Sequence, residues 1–508
     1  MRSWAKAIAS AAVVLVSTTL GALACNDSTE LPQTPTGPST PATTYTIQLS
    51  HNFISLMAPP GEPRSIVVTA TVRTNRGDTV SQGAAVVWTT DSRAVATVTD
   101  GTVTAVGEGS TLLHARFGAS EASAVITVAV PAPVNFTPTG RMSMSRTFHT
   151  ATLLPNGKVL IAGGNFDRAD GADRATASAE VYDPANGTFT RTGDMASARF
   201  AHSATLLPNG KVLIAGGAAH NAALGTAELT ASAELYDPAT GKFSPTGDMR
   251  RAQQWHAATL LTTGKVLITG GSGWSSCCPT AANPELYDPT TGVFATTGTY
   301  AGVDIQREMW GLVGISATLL RDGRVMLSAE PAAQVYDPVS GTFSRAGTML
   351  TGSRFGAVPY ISGRTATLLD DGKVLLTGGH HEDFGRFKNA ELYDPTTGRF
   401  SATGDMAAVR DGHTATLLTD GTVLITGGES EAGCAVLSLG SAELYDPAKR
   451  GFASAGTMIV RREFHTATRL QDGRVLLTGG LTFDGGSDSC GPASVVPLAS
   501  AELYVPRN

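Results

Sequence analysis

From residue 135 onward, hydrophobic and polar positions repeat one four-part phrase. His-Thr-Ala-Thr-Leu-Leu alternates apolar with polar residues. Lys-Val-Leu-Ile-Ala-Gly-Gly is apolar after its lysine, Ala-Glu-Leu-Tyr-Asp-Pro follows, and Phe-x-x-Thr-Gly-x-Met closes the unit. Alternation predicts a strand with one buried face, and a short unbroken apolar run predicts a strand buried on both. The first two parts are joined by Asn156-Gly157, Asp371-Gly372 and their equivalents, dipeptides that favour tight hairpins. The first phrase falls at Ala151, Ala204, Ala258, Ala317, Ala366, Ala415 and Ala467, at intervals of 53, 54, 59, 49, 49 and 52 residues. The third falls at Tyr182, Tyr236, Tyr287, Tyr336, Tyr393 and Tyr445, with Tyr504-Val-Pro as the seventh. The last unit stops before its fourth strand. Phe136-Thr-Pro-Thr-Gly-Arg-Met142 matches Phe189-Thr-Arg-Thr-Gly-Asp-Met195, so the missing strand, 135–142, stands before the first unit. The prediction is an all-β ring of seven units over 131–508. Closure by that strand leaves no open edge.

Upstream the pattern changes twice. Residues 44–130 alternate in short runs, among them Tyr45-Thr-Ile-Gln-Leu49, Ile66–Val72, Val86-Val-Trp88 and Val125-Ile-Thr-Val128, separated by turns such as Asp100-Gly101. This predicts a small β-sandwich with Trp88 in its core. Residues 26–43, NDSTELPQTPTGPSTPAT, hold almost no large apolar residue and several prolines, and are expected to form an extended tether. Arg2 and Lys6 precede a short apolar run from Ile8 to Leu23, the pattern of a signal peptide over 1–24. Ala22-Leu23-Ala24-Cys25 resembles a bacterial lipobox, which makes Cys25 the expected lipidation site, although plain cleavage after Ala24 fits the same residues.

The repeated unit resembles the kelch repeat in its galactose-oxidase-like form, which implies a seven-bladed β-propeller. The stretch VVWTTDSRAVATVTDGTVTAVGEGS resembles the bacterial Ig-like group 2 domain, a module that usually serves as a spacer or in adhesion. Together these imply an exported protein of the cell envelope, an outer-membrane or surface lipoprotein with secretion as the alternative.

Composition narrows the function. Gly is abundant at 57 residues, as many tight turns require, and the formal charge of −6 lacks the basic footprint of a nucleic-acid binder. Five cysteines show no Cys-x-x-Cys pair and no Cys/His metal spacing. With Cys25 lipidated, Cys434 and Cys490 fall in corresponding loops of consecutive units and are the candidate disulfide, while Cys277 and Cys278 form a vicinal pair or stay reduced. No Gly-x-Ser-x-Gly or His-Glu-x-x-His motif occurs. The galactose oxidase resemblance implies copper chemistry built on two tyrosines, two histidines and a cysteine, with a Tyr-His dipeptide. No Tyr-His exists here, and seven of the ten tyrosines occupy the third-strand position. Neither a cofactor nor a metal is therefore expected.

Seven copies also separate scaffold from site. His149, His202, His256, His413 and His465 recur at one position and are expected to bond neighbouring backbone at the start of each blade. The recurring Gly-Gly pairs read as close backbone approach. Asp167-Arg-Ala-Asp170-Gly-Ala-Asp173 reads as a solvated acidic loop. Positions that break the pattern are better site candidates. The connections entering the fourth and fifth units are lengthened, from Tyr300 to Ile315 and from Met349 to Arg364. The candidate ligand-binding residues there are Tyr300, Asp304, Arg307, Glu308, Trp310, Arg354 and Tyr360. The fifth unit adds His380, His381 and Glu382 on the same face. Aromatics beside mixed charges on a rigid scaffold suit a carbohydrate or protein ligand. The expectation is a monomeric binding or adhesion protein that meets the membrane only through its lipid. An exported carbohydrate-active enzyme with dispersed catalytic residues, or a structural envelope component, is the alternative.

Overall fold

The structure is a computed structural model that describes residues 44–57, 65–80, 86–106, 109–129, 135–166, 174–221, 226–274, 279–280, 283–302, 315–328, 332–350, 363–381, 384–432, 435–484 and 494–506. The leader, Cys25 and the tether lie outside them, as do Cys277, Cys278, Cys434 and Cys490. The chain divides into two compact units, Met1–Val130 and Pro131–Asn508.

In the smaller unit, Phe53–Met57, Ser120–Ala129, Gly109–Phe117 and Val87–Thr90 form one sheet, and Ser65–Val67, Thr102–Ala105 and Ala96–Thr99 another. Tyr45–Leu49 pairs with Ala70–Thr74. Ile54, Val103, Leu113, Ala115 and Ile126 are fully buried between these strands, and Trp88 packs against them half-buried.

Among its described residues the larger unit contains seven antiparallel sheets, one for each sequence unit, each with a four-strand path, and Pro279–Thr280 adds a short fifth strand to the third. The first consists of Thr150–Leu153, Val159–Ala162, Ala179–Asp183 and Thr188–Arg191 in that order. Second strands such as Val159–Ala162 and Val212–Ala215 are buried at every position, as their unbroken apolar sequence requires. The first strands of successive sheets lie side by side around the axis, and Thr466–Arg469 of the last returns to Thr150–Leu153 of the first. Phe136–Pro138 supplies the outer strand of the last sheet, pairing Phe136 with Tyr504. Their rings lie 5.2 Å apart.

Cores form between sheets as well as within them. Leu160 and Ala162 of the first sheet pack with Val212, Ile214 and Tyr236 of the second. Leu476 and Leu503 of the last pack with Val159, Ile161 and Tyr182 of the first. The third-strand tyrosine links neighbours directly. Its ring packs on the fourth-strand Phe, as in Tyr182–Phe189 at 4.8 Å, and its hydroxyl meets a threonine of the preceding sheet. Tyr182–Thr139, Tyr236–Thr192, Tyr287–Thr246, Tyr336–Thr297 and Tyr445–Thr403 are 2.8–2.9 Å apart. The aspartate of Tyr-Asp-Pro closes its own turn, Asp183 Oδ1 accepting from the Ala185 N–H at 3.0 Å.

Candidate functional site

The segment entering each first strand contributes three layers on one face. Deepest are buried ion pairs that recur from sheet to sheet: Arg146–Glu180, Arg199–Glu234, Arg410–Glu443 and Arg462–Glu502, at 2.8–3.0 Å. Each arginine also donates to backbone carbonyls, as Arg146 does to Gly163 and Ser178. The fifth sheet achieves the same pairing differently. Arg364 occupies the histidine position and reaches Glu391 at 3.0 Å.

Above these lie the five histidines. Each Nε2 meets a hydroxyl of the preceding sheet, and the expected backbone bonding is seen beside it at His149, with Arg146, and at His256, with Ala215. His202 meets Thr150 at 3.0 Å, His256 meets Ser203 at 2.8 Å, and His413 meets Thr377 at 2.9 Å. Burial pulls His149 and His413 down to about 3 and His256 to about 4. The imidazoles are therefore neutral struts between blades. The Gly-Gly pairs make room for them: a Cβ on Gly163 would lie 2.7 Å from the His202 ring and 2.5 Å from the Arg199 carbonyl.

The outermost layer is the residue just before each histidine position. Phe148, Ala201, Trp255, Gly363, Gly412 and Phe464 all have positive φ, between 49° and 65°. Backbone hydrogen bonds between adjacent blades fix this conformation. Ala201 N–H donates to Phe148 O, Trp255 N–H to Ala201 O, and Phe464 N–H to Gly412 O, each at 3.0 Å. Left-handed backbone costs a non-glycine residue roughly 1–2 kcal/mol. Gly363 and Gly412 escape that cost, whereas Phe148, Trp255 and Phe464 bear it. Bulky residues in such a conformation mark a position held for some purpose. The three rings form one cluster, Phe148 meeting Trp255 at 4.8 Å edge-on and Phe464 at 5.0 Å. They are half-buried and line a depression of about 490 Å³ at the mouth of the channel, which Asp411, Gly412 and Gly363 also line.

One side of this mouth is acidic. Asp411 and Glu463 hold the position before the left-handed residue in the sixth and seventh sheets, and backbone bridges tie them to Glu429 and Leu481. Arg386 pairs with Glu429 and, at 3.3 Å, with Glu431. Four carboxyl groups thus share one guanidinium. Glu463 is wholly buried, with the Ser438 hydroxyl as a polar neighbour and no cation paired with it among the described residues. Burial pushes it up to about 8, and nearby Glu429 and Asp411 add to the effect. Burial likewise raises Asp411 to about 6, against the opposing pull of Arg386 and the Gly412 N–H. Burial also raises Glu429, despite its ion pair.

Of the sequence candidates, Tyr300 is corrected from site to core. It takes the position methionine holds in other units, is 5% exposed, packs on Phe343 at 5.1 Å, and its hydroxyl accepts from the Gly270 N–H at 2.7 Å. His381 is buried, with its ring 4.9 Å from Phe384. His380 is half-buried, close enough to Arg386, Glu429 and Glu431 to feel their charge. Asp304, Arg307, Glu308, Trp310, Arg354, Tyr360 and Glu382 lie outside the described residues, as does 167–173. The channel-mouth group was missed because its signal is a repeat position occupied unevenly (Phe, Ala, Trp, Gly, Gly, Phe), one residue before the histidine that drew attention.

No family model matches the chain, and no curated protein is similar to it in sequence. Among solved structures, a fungal alcohol oxidase of the AA5 family, described as a novel enzyme with catalytic diversity and in complex with copper, superposes with a TM-score of 0.54. It is 16% identical over 73% of this chain and 76% of its own. At that identity the likeness shows the fold alone, a β-propeller of the galactose-oxidase type.

Proposed function

We propose that this chain is an exported, envelope-anchored binding protein that presents the channel mouth of its propeller to a carbohydrate ligand. The observation that carries the reading is the set of Phe148, Trp255 and Phe464, held in left-handed backbone around one depression. Flat aromatic faces beside a carboxylate suit the apolar face and the polar edge of a sugar ring. The kelch-type repeat, the Ig-like module, the Pro/Thr tether and the lipobox-like Cys25 support display at a surface, and −6 net charge argues against nucleic acid.

Copper chemistry, which the neighbouring structure's title attributes to that protein, does not fit the residues present. At the channel mouth the position before histidine holds Phe148, Trp255 and Phe464, none of which offers a phenol. The histidine Nε2 atoms are committed to hydroxyls. Among the described residues no group of three or more His, Cys, Asp or Glu side chains is placed to hold a metal.

A carbohydrate-active enzyme is the second reading, favoured by Asp411. It lines the depression and is raised to about 6, a range in which a carboxyl serves as acid or base near neutrality. Glycan and peptide arrays probed with the full chain and with Trp255→Ala test the proposal. Binding to glycans that the variant loses supports it, and binding to peptides alone overturns it. Bond cleavage abolished by Asp411→Asn selects the enzyme.

A further inference from the structure

Resting on the reading of the channel mouth as a glycan site, we propose that it selects an amino sugar, holding a protonated amine against Asp411 while the sugar ring stacks on Trp255 and Phe464. Asp411 lines the depression, and its carboxylate lies directly over Gly363, where a Cβ would come within 1.6 Å of Oδ1. Gly412 does the same for the neighbouring ring: a Cβ there would lie 2.7 Å from Phe464. Two glycines thus seat a carboxylate and an aromatic face side by side.

Among the described residues no cation forms an ion pair with that carboxylate, and Arg386 acts on it only at longer range. Arg364, which also lines the depression, is committed to Glu391. His149, His413 and His465 are buried and neutral. Arg386 is drawn to Glu429 and Glu431. Glu463, wholly buried and raised to about 8, keeps its proton near neutrality and so leaves Asp411 as the carboxylate that faces the depression. A cation over an aromatic face gains from the ring quadrupole, and more so when water is excluded. An amine meeting a carboxylate there adds a charge-assisted hydrogen bond.

The test titrates the full chain with the glucosamine tetramer, the N-acetylglucosamine tetramer and tetralysine, by calorimetry at pH 6.5 and at low and moderate salt. The free-amine tetramer should bind roughly tenfold more tightly than the acetylated one, as expected for one charged hydrogen bond. Asp411→Asn should remove that preference, bringing the two tetramers to equal affinity. Trp255→Ala should weaken both sugars. Amine binding should rise as Asp411 ionises in view of Arg386, Glu429, Glu463, Arg364 and His413, and fall again as the sugar amine loses its proton. Equal affinity for the two sugars, with Trp255 still required, overturns the amine preference and leaves the glycan site standing. Tetralysine binding as tightly as the glucosamine tetramer overturns the sugar class. Binding of neither sugar overturns this inference together with the reading beneath it.

Discussion

Replacing Glu463 by glutamine should change how the propeller's stability depends on pH. Glu463 is buried with no paired cation among the described residues, and burial pushes its carboxyl from an ordinary 4.5 to about 8 against a weak pull from the Ser438 hydroxyl. Because the folded-state value is raised, the native state binds a proton that the unfolded chain releases between pH 4.5 and 8. Stability is therefore fully present below about 4.5 and is lost as pH rises through about 8. The interval corresponds to about 3 to 5 kcal/mol at full ionisation. Glutamine keeps the shape and cannot ionise. The variant should differ from the parent by a roughly constant small offset at pH 4 to 5, and should be the more stable of the two by several kcal/mol at pH 9. Urea unfolding of the full chain at pH 5, 7 and 9, followed through the propeller transition, measures the difference as a shift in midpoint. If the two midpoints run parallel across that range, Glu463 is already ionised at neutral pH and the description of the acidic side is wrong.

Three further outcomes follow from the same geometry. Arg199→Met leaves Glu234 buried and unpaired and should cost about 3–5 kcal/mol, part of which Glu234→Gln in the same chain should restore; thermal unfolding reads both. His202→Ala removes a strut to Thr150 without touching the aromatic depression, so it should lower the melting temperature while ligand affinity stays unchanged. Phe136→Ala should cost about 3–5 kcal/mol and raise hydrogen exchange along Ala501–Tyr504, although Phe136 and Tyr504 stand at opposite ends of the propeller sequence.

The architecture was legible because the ring repeats itself. Seven copies of one phrase, with Asn-Gly and Asp-Gly turns between the first two strands, determine strand number, order and burial with little help from long-range contacts. Even the pairing of Phe136–Pro138 with Ala501–Tyr504 follows from the incomplete last unit. The site was less legible, for two physical reasons. Positive φ at Phe148, Trp255 and Phe464 comes from hydrogen bonds between blades, which no local propensity encodes. Aromatic residues there read as ordinary apolar residues at a strand start. The second reason is that burial, more than residue type, separates roles. Tyr300 looked like a loop aromatic because it opens a lengthened connection, yet it fills a methionine position in the core. Asp411 and Glu463 looked like ordinary acids in Arg-Asp-Gly-His and Arg-Glu-Phe-His, and only their enclosure makes them exceptional. The buried Arg–Glu pairs were visible as recurring letters, but their partnership needs the third strand laid beside the segment that enters the first.

The central claim is that ligand meets this protein at the channel mouth. Covalent footprinting of the full chain, read by mass spectrometry with and without the tightest-binding array glycan, tests it most directly. The account predicts that protection concentrates on Phe148, Trp255, Phe464 and Asp411, with any protection of 303–314 and 351–362 secondary to it. Unchanged labelling at those four residues, with protection confined to the lengthened connections or to the smaller unit, would contradict it.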